Sequence, residues 1–124
     1  MRTKITTDEA PPPAGPYSQG IRVGNLLFAA GQGPFDAQGN RTGITFEDQV
    51  QATLDNLSAV AEAAGSGLEH MVRLGAYLKD MSSFPALNEL LERRLTPPYP
   101  ARTTIPTALE GFDVEMDAVF WIPE

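Results

Sequence analysis

The stretch TFEDQVQATLDNLSAVAEAA, Thr45 to Ala64, decides the fold. Phe46, Val50, Leu54, Leu57, Val60, Ala61 and Ala64 recur at the three- and four-residue steps of a single helix face. Thr45 and Asp48 resemble a capping pair, and Glu47 and Asp48 lie in the first turn, where the helix dipole favours negative charge. Gly65 is well placed to end the helix. A helix with one apolar stripe needs an apolar surface to bury it against, and the flanking sequence supplies strands.

On the N-terminal side, Leu26 to Ala30 (LLFAA) reads as a short strand with apolar residues on both faces. Ile21 to Val23 is a candidate preceding strand, joined by Gly24-Asn25 as a turn. Gly31 to Gly43 reads as loop, and Ala10 to Gly20 (APPPAGPYSQG) as a rigid Pro/Gly-rich loop. On the C-terminal side, Met71 to Lys79 alternates, with Val72, Leu74, Ala76 and Leu78 on one face and Arg73, Tyr77 and Lys79 on the other. Phe84 to Leu95 reads as a second helix capped by Ser82 or Ser83, with Leu87, Leu90 and Leu91 as its core face. Pro97-Pro98-Tyr99-Pro100 breaks the chain before a short strand, Ala101 to Ile105. In the last strand, Val114 to Ile122, Val114, Met116, Ala118, Phe120 and Ile122 share one face; Glu115, Asp117, Val119 and Trp121 share the other.

The expected order is β-β-α-β-α-β-β in a single domain spanning residues 1–124, an α+β fold. Two helices can cover one face of such a sheet. The other face carries Tyr77, Val119 and Trp121 among polar residues, and a partly apolar open face calls for a partner. A homo-oligomer is therefore expected.

Composition narrows the chemistry. The chain has no cysteine, which excludes disulfides, thiolate nucleophiles and Cys-based metal centres. Its one histidine, His70, cannot build a multi-histidine metal site, and no metal is expected. With 16 acidic and 9 basic residues the net charge is −7, unfavourable for nucleic acid, whose binding rests on phosphate neutralisation. No apolar run approaches the ~20 residues that span a bilayer. Met1-Arg2-Thr3-Lys4 leads into polar, Pro-rich sequence without the apolar stretch of a secretory leader, so a cytoplasmic location is expected.

Few charged groups stand in constrained settings. Arg102 is the foremost, because it starts a strand after a rigid Pro-rich run and its planar fork suits a carboxylate; the alternative is a surface arginine paired with a nearby acid. Glu115 interrupts an apolar strand, where burial would raise its pKa and suit it to general-base work; the alternative is a solvated acid on the outer face. Asp117 shares that face, and the two acids could hold a metal, although their spacing is not diagnostic. Tyr17, between Gly15-Pro16 and Gly20, can present a phenol to a pocket or simply pack. Gly31-Gln32-Gly33 could bring backbone close to a ligand or be a plain turn, and neither phosphate-loop pattern is present. Asn88 reads as a polar boundary residue of the second helix, and Thr103 and Thr104 as β-formers.

Six spaced motifs, in this order, resemble the YjgF/RidA (YjgF/YER/UK) family over about Ile5 to Val119. They are Ala14 to Gly20, Gly31-Gln32, Gln49 to Leu57, Glu62 to Gly65, Leu78-Lys79-Asp80 ahead of Phe84 and Asn88, and Pro100-Ala101-Arg102-Thr103. The resemblance implies a chorismate-mutase-like subunit, a mixed sheet with both helices on one face, assembled as a homotrimer with sites in clefts between subunits. It also implies cofactor-free hydrolysis of 2-aminoacrylate and other 2-imino acids to 2-keto acids and ammonia. In that scheme Arg102 grips the substrate carboxylate and Glu115 holds the attacking water, while Tyr17, Gly31 and Asn88 line the cleft. Thr104 stands where well-known members carry a cysteine, which excludes thiol chemistry and leaves substrate preference open. Two other functions remain open: a non-catalytic module sensing a 2-keto acid, and an RNA-directed translation inhibitor or endoribonuclease, which the charge disfavours.

Overall fold

The computed structural model describes residues 1–124. Helix α1 spans Phe46–Ala63. Thr45 holds an extended backbone and its hydroxyl accepts the Asp48 N–H at 3.1 Å, so the capping pair is real. Past the end of the helix, Gly65 takes φ +83°, a conformation that glycine adopts without strain. Val50, Leu54, Leu57, Val60 and Ala61 are completely buried, the larger of them each contributing about 1.5–3 kcal/mol of transfer free energy.

The stripe is wider than its apolar members. Gln49, Thr53 and Asn56 are buried too, and each is hydrogen-bonded. Gln49 donates to the Asp113 carboxylate at 2.9 Å and accepts the Asp113 N–H at 2.8 Å; Asn56 donates to the carbonyls of Gly33 and Phe35 at 3.0 and 2.8 Å. The helix thus pins two loops as well as covering the sheet.

Six strands form that sheet: β1 (Arg2–Ile5), β2 (Gly20–Val23), β3 (Leu26–Gln32), β4 (Met71–Leu78), β5 (Ala101–Pro106) and β6 (Val114–Trp121), in the order β1-β2-β3-β6-β4-β5. Every neighbouring pair is antiparallel except β4–β5. A parallel pair needs a crossover, and α2 (Phe84–Arg94) provides it. The core lies between one sheet face and the two helices. Leu27, Leu74, Ala76, Leu78 and alternate residues of β6 from Val114 to Phe120 meet Leu54, Leu57 and Val60 of α1 and Leu87, Leu90 and Leu91 of α2.

Several sequence expectations need correction. β1 was not expected, because Arg-Thr-Lys-Ile is polar and mostly exposed; it pairs only as an edge strand, from Arg2 opposite Val23 to Ile5 opposite Gly20. Gly31 and Gln32 belong to β3 rather than to the following loop, beyond an irregularity in the ladder between Ala29 and Gln32. Val72 does not face the core. Met71 lies opposite Phe120 and Arg73 opposite Val119, so Val72 is the extra residue of a bulge, and alternation restarts at Leu74. The second helix has no serine side-chain cap; Asp80 caps the one-turn 3-10 helix Met81–Ser83 ahead of it.

The uncovered face divides into two ends. Leu26, Phe28, Val119 and Trp121 lie towards one end, with Phe28 and Trp121 48% and 42% exposed. Tyr77, Glu115 and Asp117 occupy the other.

Candidate active site

Arg102 stands on β5, opposite Leu74 of β4. Side chains of paired residues share a face, and Leu74 is buried in the core, so Arg102 points to the helix side. There Asn88 of α2 accepts a hydrogen bond from Nη2, and the guanidinium carbon lies 5.5 Å from the Phe84 ring centroid. No carboxylate lies within 4.0 Å of it, although Glu92 lines the same hollow. Nη1 is buried without a partner, and burial pulls the Arg102 pKa below its usual value while leaving an arginine charged at neutral pH. The hollow measures about 290 Å³ and has Leu74, Leu91, Leu95, Tyr99 and Pro100 on its walls. Thr104, two residues on and on the same face, has a buried hydroxyl with no partner. Buried donors left unpaired each cost roughly 1–3 kcal/mol, so an anion reaching this guanidinium would offset a penalty already present.

Glu115 lies on the opposite side of the sheet. Its β6 position faces Tyr77 of β4, and on its other flank β3 brings Gly31 so close that a Cβ there would lie 2.6 Å from Glu115 Oε2. Glycine at position 31 is what gives the carboxyl its seat. Burial, and secondarily the charge of Asp117, raise the Glu115 pKa above the ordinary carboxylate range. Glu115 and Gly31 share a hollow of about 270 Å³ with Pro11, Tyr17, Gly33, Phe35 and Phe112. Tyr17 is half exposed; its backbone N–H donates to Gly15 O at 2.8 Å and its phenol oxygen accepts the Ala14 N–H at 3.1 Å, which aims the ring.

Three buried amides that the sequence reading passed over hold this hollow together. Gln19 donates to the carbonyls of Thr7 and Pro11 at 3.0 and 2.9 Å and accepts the Thr7 N–H at 2.7 Å, tying down the proline-rich loop. Asn56 and Gln49 fix the walls around Phe35 and Phe112, whose rings meet edge to face at 5.2 Å. Their place within the Gln49 to Leu57 motif, beside the apolar stripe of α1, was the signal for the last two.

The candidate residues therefore fall into two groups. Arg102, Asn88 and Thr104 gather beside α2; Tyr17, Gly31 and Glu115 gather at the β3–β6 seam. Arg102 and Glu115 stand two strands and three residues apart, roughly 14 Å between Cα atoms, and on opposite faces. One subunit cannot apply both groups to one small molecule.

A family model described as Endoribonuclease L-PSP matches residues 7–121. The chain belongs to the YjgF/RidA family. A RutC family protein of Pyrococcus horikoshii is 38% identical over 96% of this chain and 97% of its own. A protein of Dermatophagoides farinae named 2-iminobutanoate/2-iminopropanoate deaminase is 35% identical over 84% of this chain and 82% of its own. RidA from an Antarctic Psychrobacter superimposes with a TM-score of 0.90 at 36% identity, over 97% of this chain and 99% of that one. The mixed six-stranded sheet with two helices is thus the architecture of solved RidA structures. No helix is long and apolar enough to cross a membrane.

Proposed function

We propose that the protein hydrolyses 2-imino acids, 2-aminoacrylate among them, to 2-keto acids and ammonia, in clefts that neighbouring copies of a homotrimer build together. The observation that carries this reading is the Arg102 guanidinium: held by Asn88, without an acid partner, and with one nitrogen buried and unbonded. A planar carboxylate is the ligand such a fork fits. The relative named 2-iminobutanoate/2-iminopropanoate deaminase supports the substrate class.

In this reading Arg102 of one copy clasps the carboxylate and turns the C=N carbon towards Glu115 of the next. Enamine substrates first tautomerise to the imine. Glu115, ionised, takes a proton from water as the oxygen adds to that carbon. Glu115 then returns its proton to the carbinolamine nitrogen, the C–N bond breaks with ammonia leaving, and the hydroxyl proton passes to solvent water as the C=O bond forms. Tyr17 and the backbone near Gly31 face the reacting centre. No cofactor enters these steps. Positioning supplies much of the rate, because the iminium carbon is already electrophilic. A cytoplasmic location belongs to the same proposal; a fission-yeast relative, 36% identical, is named as mitochondrial, and cell fractionation decides the point.

The test is a coupled assay in which an amino-acid oxidase generates imines and keto-acid release is followed. The protein should accelerate release, and Arg102→Ala should abolish the acceleration while light scattering still reports a trimer. Equal rates with and without the protein would overturn the reading. A second reading, a non-catalytic 2-keto acid sensor, is favoured by the separation of Arg102 from Glu115 within one subunit. It requires keto-acid binding that survives Glu115→Gln with no turnover to lose. RNA cleavage, suggested by the family description, is opposed by the net charge of −7.

A further inference from the structure

Asp117 has no part in the chemistry above, yet its setting is constructed as closely as that of Glu115. The two acids are two residues apart on the same face of β6, so their Cα atoms stand roughly 6.6 Å apart. Gly75 lies directly opposite Asp117 on β4, and a Cβ there would lie 2.3 Å from Asp117 Oδ1 and 2.8 Å from the Tyr77 hydroxyl. Glycine here makes room for a carboxylate lying over the sheet, as Gly31 does for Glu115. Tyr77, the cross-strand partner of Glu115, donates its hydroxyl to Asp117 Oδ2 at 3.0 Å. The phenol therefore ties the second acid in place beside the first.

We propose that Asp117, seated over Gly75 and tied by Tyr77, is a positioning residue that keeps a negative charge beside Glu115 and so sets the pH at which Glu115 gives up its proton. This rests on the reading of Glu115 as the group that activates water. The titratable and charged groups around Glu115 are few. In the proposed cleft they include a cation from outside the subunit, Arg102 of the neighbouring copy, which is the same in parent and variant and so does not alter the direction of the shift expected from Asp117. On β6 there is Asp117; on β4 there are Tyr77 and, beyond it, Arg73; across the shared hollow there is Tyr17; β3 contributes the uncharged Gly31. Burial also raises the Tyr77 pKa, as does its bond to Asp117, so this phenol stays a neutral donor at working pH. Arg73 is itself engaged, donating to the Thr103 hydroxyl at 3.1 Å. Asp117 is thus the one anion on the strand that presents Glu115.

The sign follows from like charges. A neighbouring anion disfavours a second, so removing it lets Glu115 ionise at lower pH. The experiment is Asp117→Asn, which keeps the shape and an acceptor for Tyr77. Two readouts are taken on the assembled protein: the acid limb of the kcat/KM profile, and the 13C carboxyl titration of Glu115. Both should move to lower pH, so that at the pH where the parent runs at half its plateau the variant runs closer to its own. A merely structural Asp117 would change rate or stability at every pH and leave both midpoints in place, which overturns the proposal. If imino acids are not hydrolysed but the Glu115 resonance still moves, the coupling stands and the catalytic reading falls.

Discussion

The two halves of the site solve opposite problems. At the β5 edge, Arg102 is a permanent charge given too few partners: one amide, one aromatic ring, and a buried N–H with none. At the β3–β6 seam, Glu115 is a switchable charge made reluctant to form, by burial and by Asp117. Burial disfavours the charged form of both groups. In the proposed reaction the first half attracts an anion, and the second, once ionised, takes a proton from water. Each half is deficient in what the other has, and the sheet keeps them on opposite faces of one subunit. Function and fold stability pull apart here, because burying a charged group costs stability that a ligand can return.

Substitutions can break that comparison. The largest effect is expected from Arg102→Ala. Losing a bidentate contact of two charge-assisted hydrogen bonds at about 1.5–3 kcal/mol each lowers kcat/KM by roughly 10²–10⁴-fold, read by steady-state kinetics. Next comes Glu115→Gln, which removes the proton acceptor. Turnover should fall by about 10²–10⁴-fold while keto-acid binding, measured by calorimetry, persists. An equal loss of binding would make the two halves one anchor rather than anchor and base. Gly31→Ala places a methyl on the Glu115 carboxylate, and a misplaced catalytic group costs on the order of 10²-fold.

The smallest effects sharpen the comparison. Because the Glu115 pKa is raised, the acid limb of the rate profile should lie above the ordinary carboxylate range; a limb inside that range contradicts its assignment as base. The same shift has a sign for stability. An acid whose folded pKa exceeds its unfolded value loses stability as pH rises through that interval. Glu115→Gln should therefore melt at the same temperature as the parent or slightly higher at neutral pH, with the difference vanishing in acid, as differential scanning calorimetry would show.

Sequence periodicity revealed the core because the central strand is apolar on one side: Val114, Met116, Ala118 and Phe120 alternate strictly, and α1 carries its stripe. What escaped it has local causes. Val72 sits on a bulge that breaks the parity of β4, and no residue type announces a bulge there. β1 is a polar edge strand whose pairing is carried by its backbone. Arg102 and Glu115 stood out as charges in constrained segments. Gln19, Gln49 and Asn56 did not, because a buried amide looks like a surface one until its partners are known.

Subunit mixing tests the proposed cleft between subunits most directly. Arg102→Ala and Glu115→Gln proteins, each inactive alone, are unfolded together in equal amounts and refolded. If each cleft takes Arg102 from one copy and Glu115 from the next, random assembly in a ring restores about one quarter of the clefts, and about one quarter of parental activity returns. A mixture no more active than its separate components would show that the two groups never share a substrate.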